Sequence, residues 1–229
     1  MNWLWSNLDR VGELTLVHLA LSVPAIILSF VVSVPIGWLA HRYRWSRGVL
    51  LSLCALLYAI PSLALFIALP PVTGLSLRSP LNLVIALTLY GIAVIVRTAA
   101  DAFDAVERDV LQSATAMGYS DVGRFWGVQL PLAGPVLLSG LRVVIVSTVS
   151  LATVGAVIGV QSLGSLFTDG FQRGIQVEII TGIVATIVLA LALDWLSVFI
   201  GRVLMPWSRP DAKTARAEST TLAEQADVA

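Results

Sequence analysis

Residues 16–40 read LVHLALSVPAIILSFVVSVPIGWLA, twenty-five residues without an Asp, Glu, Lys or Arg. At 1.5 Å per residue a helix of this length reaches about 37 Å, more than the roughly 30 Å of hydrocarbon in a bilayer. The run is longer than the 7–15 apolar residues of a secretion signal, and Asp9, Arg10 and Glu13 precede it where a signal has a basic cluster. It is therefore expected to stay in the membrane as a helix. The whole chain supports that environment. Hydrophobic residues make up 57% of it and charged residues 12%, about half the charge of an average soluble domain. A bilayer, itself an apolar solvent, accommodates such surface.

Outward from this run lie four more, at 49–69, 81–96, 143–160 and 179–200. Those at 81–96 and 143–160 are near the lower limit for a crossing. The expected fold is all-α and polytopic, with about five transmembrane helices. Residues 1–15 form an extracytoplasmic segment, 16–205 the membrane domain and 206–229 a flexible cytoplasmic tail, polar and without aromatics after Trp207. Basic residues set the orientation. Arg42, Arg44 and Arg47 follow the first run, Arg97, Arg108 and Arg124 the third, and Arg202, Arg209, Lys213 and Arg216 the fifth. With five crossings these ten share one side, and only Arg10, Arg78 and Arg173 fall on the other. The positive-inside rule then puts the N-terminus outside and the C-terminus in the cytoplasm of a cell whose inner membrane holds the chain. Arg142 is expected at the cytoplasmic mouth of the fourth run. Trp3, Trp5, Trp45 and Trp207 flank runs, as interfacial anchors do.

Several chemistries find no support. The net charge is zero, which gives no sign of a nucleic-acid partner. The lone Cys54 sits in an apolar run and reads as a small hydrophobe. Two histidines, His18 and His41, are too few and too separate for a metal cluster. No GxxxxGK[ST] occurs, so the chain has no loop to cradle ATP phosphates. No nucleophile–base or paired-carboxylate arrangement stands out, and the chain is not expected to be an enzyme or to bind a cofactor itself.

The longest hydrophilic stretch, 100–135, reads ADAFDAVERDVLQSATAMGYSDVGRFWGVQLPLAGP. Ala102, Val106, Val110, Ala114 and Met117 recur at helical spacing, with Asp104, Glu107, Arg108 and Asp109 elsewhere around the helix. Gly118 can supply the left-handed residue that ends a helix. Ser120 can cap a second short helix, with Asp121 near its positive end, and Pro131 marks entry to the next span. A helix, a sharp turn and a second helix between two spans make a rigid element that a cytoplasmic partner can push. An interfacial helix with no partner is the alternative.

Gln112-Ser113-Ala114, three residues, Gly118, nine residues, Val128, one residue and Leu130-Pro131 resembles the "EAA" loop of bacterial ABC import permeases. Every spacing agrees. Gln112, Ser113 and Val128 depart from Glu, Ala and Ile, and Gln112 keeps the hydrogen-bonding ends of Glu without its charge. Ala59-Ile60-Pro61-Ser62-Leu63-Ala64-Leu65 resembles the "TIPSLAL" stretch of osmoprotectant permeases. Leu89-Tyr90-Gly91 with Ile95-Val96-Arg97-Thr98, Gly140-Leu141-Arg142, and 152–159 with Leu163-Gly164 resemble further stretches of that family, though Val160-Gln161-Ser162 departs from it. The resemblance implies a type I permease fold and a coupling loop at 101–131. It implies ATP-binding cassette ATPase subunits, which carry the ATP and Mg, an extracytoplasmic binding protein, and a second permease copy or paralogue. The cargo it implies is glycine betaine, choline, carnitine or proline. An amino-acid or methionine import permease, an ion-coupled secondary carrier and a membrane scaffold are the rival readings.

Pro24, Pro35 and Pro61 lie inside runs, as gating kinks or static ones. Ala152, Gly155 and Gly159 offer small-residue faces for close helix packing or for lining a pore. Asp194, the acidic residue well inside a run, is expected to have a structural partner, with Arg202 two turns on. Asp169 and Glu178, between the fourth and fifth runs, are expected to be solvated or to meet a binding protein.

Overall fold

The computed structural model describes residues 2–208, and among these there is no strand. The elements are α1 (Asn2–Ser6), α2 (Leu8–Arg42), α3 (Arg44–Ala59), α4 (Ser62–Ala68), α5 (Pro70–Thr73), α6 (Pro80–Asp104), α7 (Arg108–Ala116), α8 (Asp121–Arg124), α9 (Leu130–Val154), α10 (Ser165–Arg173) and α11 (Gln176–Leu204). A π turn, Phe125–Gln129, joins α8 to α9, and a 3-10 turn, Gly155–Ile158, ends α9. Four helical stretches are long and apolar enough to cross a membrane: α2, α6, the run from α8 through α9, and α11. A fifth segment, Trp45–Ala59 with Ser62–Thr73, is bent by 97°.

Contacts between the long helices settle the path of the bent segment. A Cβ on Gly37 would lie 2.4 Å from that of Ala99, and one on Gly91 would lie 2.1 Å from Ser29 Oγ. His41 Nδ1 lies 2.5 Å from Asp104 Oδ1. Contacts that advance together along both helices mean that α2 and α6 run parallel. The chain between them must therefore return, so α3–α5 is a crossing despite its bend. The bend follows from Pro61. Proline disfavours helical backbone in the residue before it, and Ile60 is extended, with φ −67° and ψ 128°. The Tyr90 hydroxyl donates to the freed Ile60 carbonyl, so a site read as a kink is a full break with its own partner.

α9 runs antiparallel to α6. Gly140 faces Thr98, and Gly155 faces Leu83. α11 is antiparallel to α9, with Gly201 against Leu138 and Met205 against Gly134. Five crossings place Leu8 and Leu204 at opposite ends. One end carries α7; the other carries α10.

The helices overrun the apolar runs. α2 begins at Leu8, inside the segment expected to precede the membrane, because Arg10 donates to Asp169 and, at 2.8 Å, to Glu178. Charges so paired do not end a helix. α6 continues to Asp104, so Arg97 is helical and Ala102 belongs to α6 and not to α7. Gly159 lies beyond α9, with φ 87°, and serves a left-handed turn beside Arg78 where a helix-packing face was expected. Gly155 does pack closely: a Cβ there would sit 2.4 Å from Leu83 Cδ2. Of the expected tail, Pro206–Ser208 form a short 3-10 turn, and the rest, with Arg209, Lys213 and Arg216, lies outside the described residues.

His18 is fully buried within α2. The Leu163 N–H donates to its Nδ1 at 3.3 Å, which leaves Nε2 to donate to the Val149 carbonyl at 3.0 Å. One neutral imidazole thus joins α2, α9 and the 159–164 turn. In that turn Ser162, a departure from the family stretch, is buried; its hydroxyl donates to the Ala152 carbonyl and accepts from the Gly164 N–H.

Candidate functional site

The loop after α6 turns sharply at Gly118, as its sequence predicts. Gly118 has φ 87°. Its N–H donates to the Thr115 carbonyl at 3.0 Å and the Tyr119 N–H to the Ala114 carbonyl at 3.2 Å. This pair of bonds is a Schellman ending, which satisfies the last carbonyls of α7. Ser120 Oγ accepts from the Gly123 N–H at 3.2 Å, capping α8, whose first residue is Asp121. The second helix is not a separate element. It passes through the π turn into α9, and Pro131 is the second residue of α9. Pro135 lacks an N–H and so leaves the Pro131 carbonyl free; the Trp207 indole donates to it at 3.3 Å.

Side chains brace the turn. Arg124 donates to Thr115 Oγ1 at 2.7 Å across the turn and to Asp121 at 2.9 Å. Phe125 packs against Trp38 of α2 with ring centroids 5.4 Å apart and against Phe103 of α6 at 5.8 Å. Trp38 Nε1 donates to the buried Gln129 Oε1 at 3.1 Å. Nearby, Arg47 of α3 holds Asp101 at 2.8 Å and also pairs with Asp104, both of α6. Force on α7 and α8 therefore meets α2, α3, α6 and α9 through packed side chains.

The motif residues divide. Gln112 and Ser113 are exposed on α7, while Val128, Leu130 and Pro131 are half-buried around the π turn. Ala114 is the correction: at 1% exposure it packs inward and cannot belong to a contact face. Val110 and Met117 of the same apolar stripe point out. Met117, Tyr119, Val122 and Trp126, all within eight residues of Gly118, are exposed, and Val122 and Trp126 border a groove against Phe30, Val31 and Pro35 of α2. Sequence reading missed Tyr119, Val122 and Trp126; the signal was aromatic and branched residues in a stretch otherwise read as polar. Pro61, Gly155 and Gly159 lie away from this loop, in the bent crossing and at the α10 end.

Two charge arrangements also differ from expectation. Asp194 pairs with Arg142, not across two turns with Arg202: Arg142 Nε and Nη2 donate to its two oxygens at 2.7 and 2.8 Å. Arg142 is twelve residues from either end of α9, well inside the helix and not at its mouth. Glu178 is 0% exposed and not solvated, held by Arg10 at 2.8 Å and Arg173 at 3.2 Å, and Asp169 shares Arg10.

The chain is 31% identical over 208 residues to the osmoprotectant import permease protein OsmW of Salmonella typhimurium, covering 90% of this chain and 97% of that one. It is 28% identical over 198 residues to the choline transport system permease protein OpuBB of Bacillus subtilis, covering 85% and 90%. Its fold matches the MetNI methionine ABC transporter in an inward-facing conformation, with a TM-score of 0.76 at 19% identity over 86% of this chain and 97% of that one. Residues 33–209 match the family described as the binding-protein-dependent transport system inner membrane component. Five crossings, a braced loop of the right spacing and that match together place the chain in the family of binding-protein-dependent transport system inner membrane components.

Proposed function

We propose that this chain is the permease subunit of an ABC importer that moves small osmoprotectants, of the glycine betaine, choline, carnitine or proline class, across the inner membrane. The observation that carries this reading is the likeness to an osmoprotectant permease over 97% of that protein's length. The chain acts with separate ATPase subunits, which hold the ATP and Mg, with an extracytoplasmic binding protein and with a second permease copy or paralogue. In this reading the α7 end is cytoplasmic, as the bias of basic residues along the sequence favours, and the N-terminus is outside.

Coupling runs through the loop. ATPase closure presses on the face formed by Met117, Tyr119, Val122 and Trp126, and Gln112 and Ser113 border it. The Gly118 turn, tied by Arg124 and the Phe125 stack, does not yield. The push therefore reaches α2, α6 and α9 and favours access from one side over the other. Exposed apolar residues on a braced loop support this, because exposed apolar surface beside polar residues marks sites of protein contact.

The test is reconstitution with the ATPase and binding protein. ATP-dependent uptake of labelled glycine betaine or choline is expected. Uptake of methionine alone would replace the substrate class. Met117→Asp, at an exposed position, is expected to leave insertion intact while the ATPase no longer co-purifies; normal co-purification would remove the loop from the coupling path.

A further inference from the structure

The Arg142–Asp194 pair sits where charge is hardest to keep. Arg142 lies twelve residues, about 18 Å, from each end of α9, well inside the apolar stretch that the helix belongs to. Asp194 is tucked away at 14% side-chain exposure, but Arg142 is 48% exposed. An arginine half open to hydrocarbon at that depth is unfavourable, and such residues turn instead to protein or to a watery cavity. Its surroundings on α9 agree. Ser139, Arg142, Val146 and Ser150 are all uncovered and recur at spacings of three, four and four, so one exposed stripe carries polar groups along the crossing. Ionisable residues inside a crossing almost always face the bundle interior or a water-filled cavity.

The pair is also chemically particular. Two guanidinium nitrogens grip both carboxylate oxygens in a planar fork. Nη1 has no acceptor among the described residues. A carboxylate arriving along the stripe could bond Nη1 first and then share or take the fork. The displaced face of Asp194 would then meet whatever cation the same molecule carries. A zwitterion offers both charges on one small body, so no unpaired charge is left in the crossing at any stage.

We propose that Arg142 and Asp194 form an intramembrane site for a carboxylate-bearing zwitterion, held by Arg142 at its carboxylate and by Asp194 at its cationic end during passage. This rests on the importer reading above and names the pair as its substrate site. No covalent step is involved; the ligand exchanges for the internal ion pair and leaves as that pair re-forms.

A pair that only clasps α9 to α11 makes a different prediction from one that holds cargo. Arg142→Lys keeps the charge and the clasp but loses the planar fork. Arg142→Gln with Asp194→Asn removes both charges and leaves neither unpaired. Each variant is reconstituted with the ATPase and binding protein, and initial uptake of glycine betaine and of choline, which has no carboxylate, is compared at equal assembled complex. The expected result is a fall in glycine betaine uptake of about ten-fold or more for the double variant, the scale of a lost charge-assisted bidentate contact. For Arg142→Lys the ratio of glycine betaine to choline uptake is expected to drop several-fold. An unchanged ratio in Arg142→Lys, or double-variant uptake within two-fold of wild type, overturns the proposal and leaves a clasp. If the double variant does not assemble, the Arg142→Lys ratio decides alone. Wild-type uptake of choline but of no zwitterion overturns the site and leaves the osmoprotectant reading standing. Uptake of an amino acid in place of osmoprotectants overturns the substrate reading only, and the same variants are then judged on that amino acid, itself a zwitterion.

Discussion

Gly118→Val isolates the geometry of the coupling loop from its chemistry. Gly118 has φ 87°, and a Cβ added there meets nothing within 4 Å. The penalty is therefore backbone strain and not collision: about 1–2 kcal/mol for an L residue forced into left-handed conformation, with a β-branched side chain at the upper end. Relieving it requires giving up the Gly118–Thr115 and Tyr119–Ala114 bonds, which contribute about 1 kcal/mol each. The chain must thus either carry the strain or lose the turn. A strain of 1–2 kcal/mol shifts the balance away from the native turn by about five- to thirty-fold. The crossings are packed on α2, α6 and α9 and not on this residue, so insertion should proceed. Co-purification of the ATPase and uptake, measured in membranes at equal permease level, are expected to fall together and in the same proportion. Gly118→Asn is the control, since Asn tolerates the left-handed region, and it should retain most of both. Equal ATPase association and uptake in Gly118→Val and wild type would refute the claim that this turn aims the contact face.

Other outcomes follow from the packing. With Cys54→Ser as background, a cysteine at Phe171, which is 81% exposed at the α10 end, should react with a membrane-impermeant maleimide on intact cells. One at Met117, 72% exposed, should react only after permeabilisation; the reverse pattern would invert the orientation. Glu178→Ala removes a fully buried carboxylate from Arg10 and Arg173, and since both arginines can turn to water the loss should be about 1.5–3 kcal/mol, read as a lower unfolding temperature in detergent. Gly164→Ala would bring a Cβ to 2.0 Å from the Thr153 carbonyl oxygen, a backbone atom that cannot swing aside, so folded yield should drop sharply while Gly12→Ala, in open space, changes nothing.

Much of this protein was written locally. Five apolar runs, the bias of basic residues, the spacing around Gly118 and the cap at Ser120 are short-range features, and backbone sterics and transfer from water act on them residue by residue. So the all-α membrane fold and the left-handed turn were legible without coordinates. The ends of the helices were not, because a charge ends a crossing only if it is unpaired. Arg10 joins α2 to Asp169 and Glu178 more than 150 residues away, and nothing near it in the chain reports that. For the same reason Asp194 had a visible candidate in Arg202, two turns along its own helix, while its partner Arg142 comes from α9. Ala114, Val110 and Met117 share one apolar stripe by period, and only the fold of the loop decides that Ala114 faces in while the other two face out. Tertiary structure decided pairing and facing, because both depend on which helices lie side by side, and it is lipid and close packing that bring α2 beside α6 and α9 beside α11.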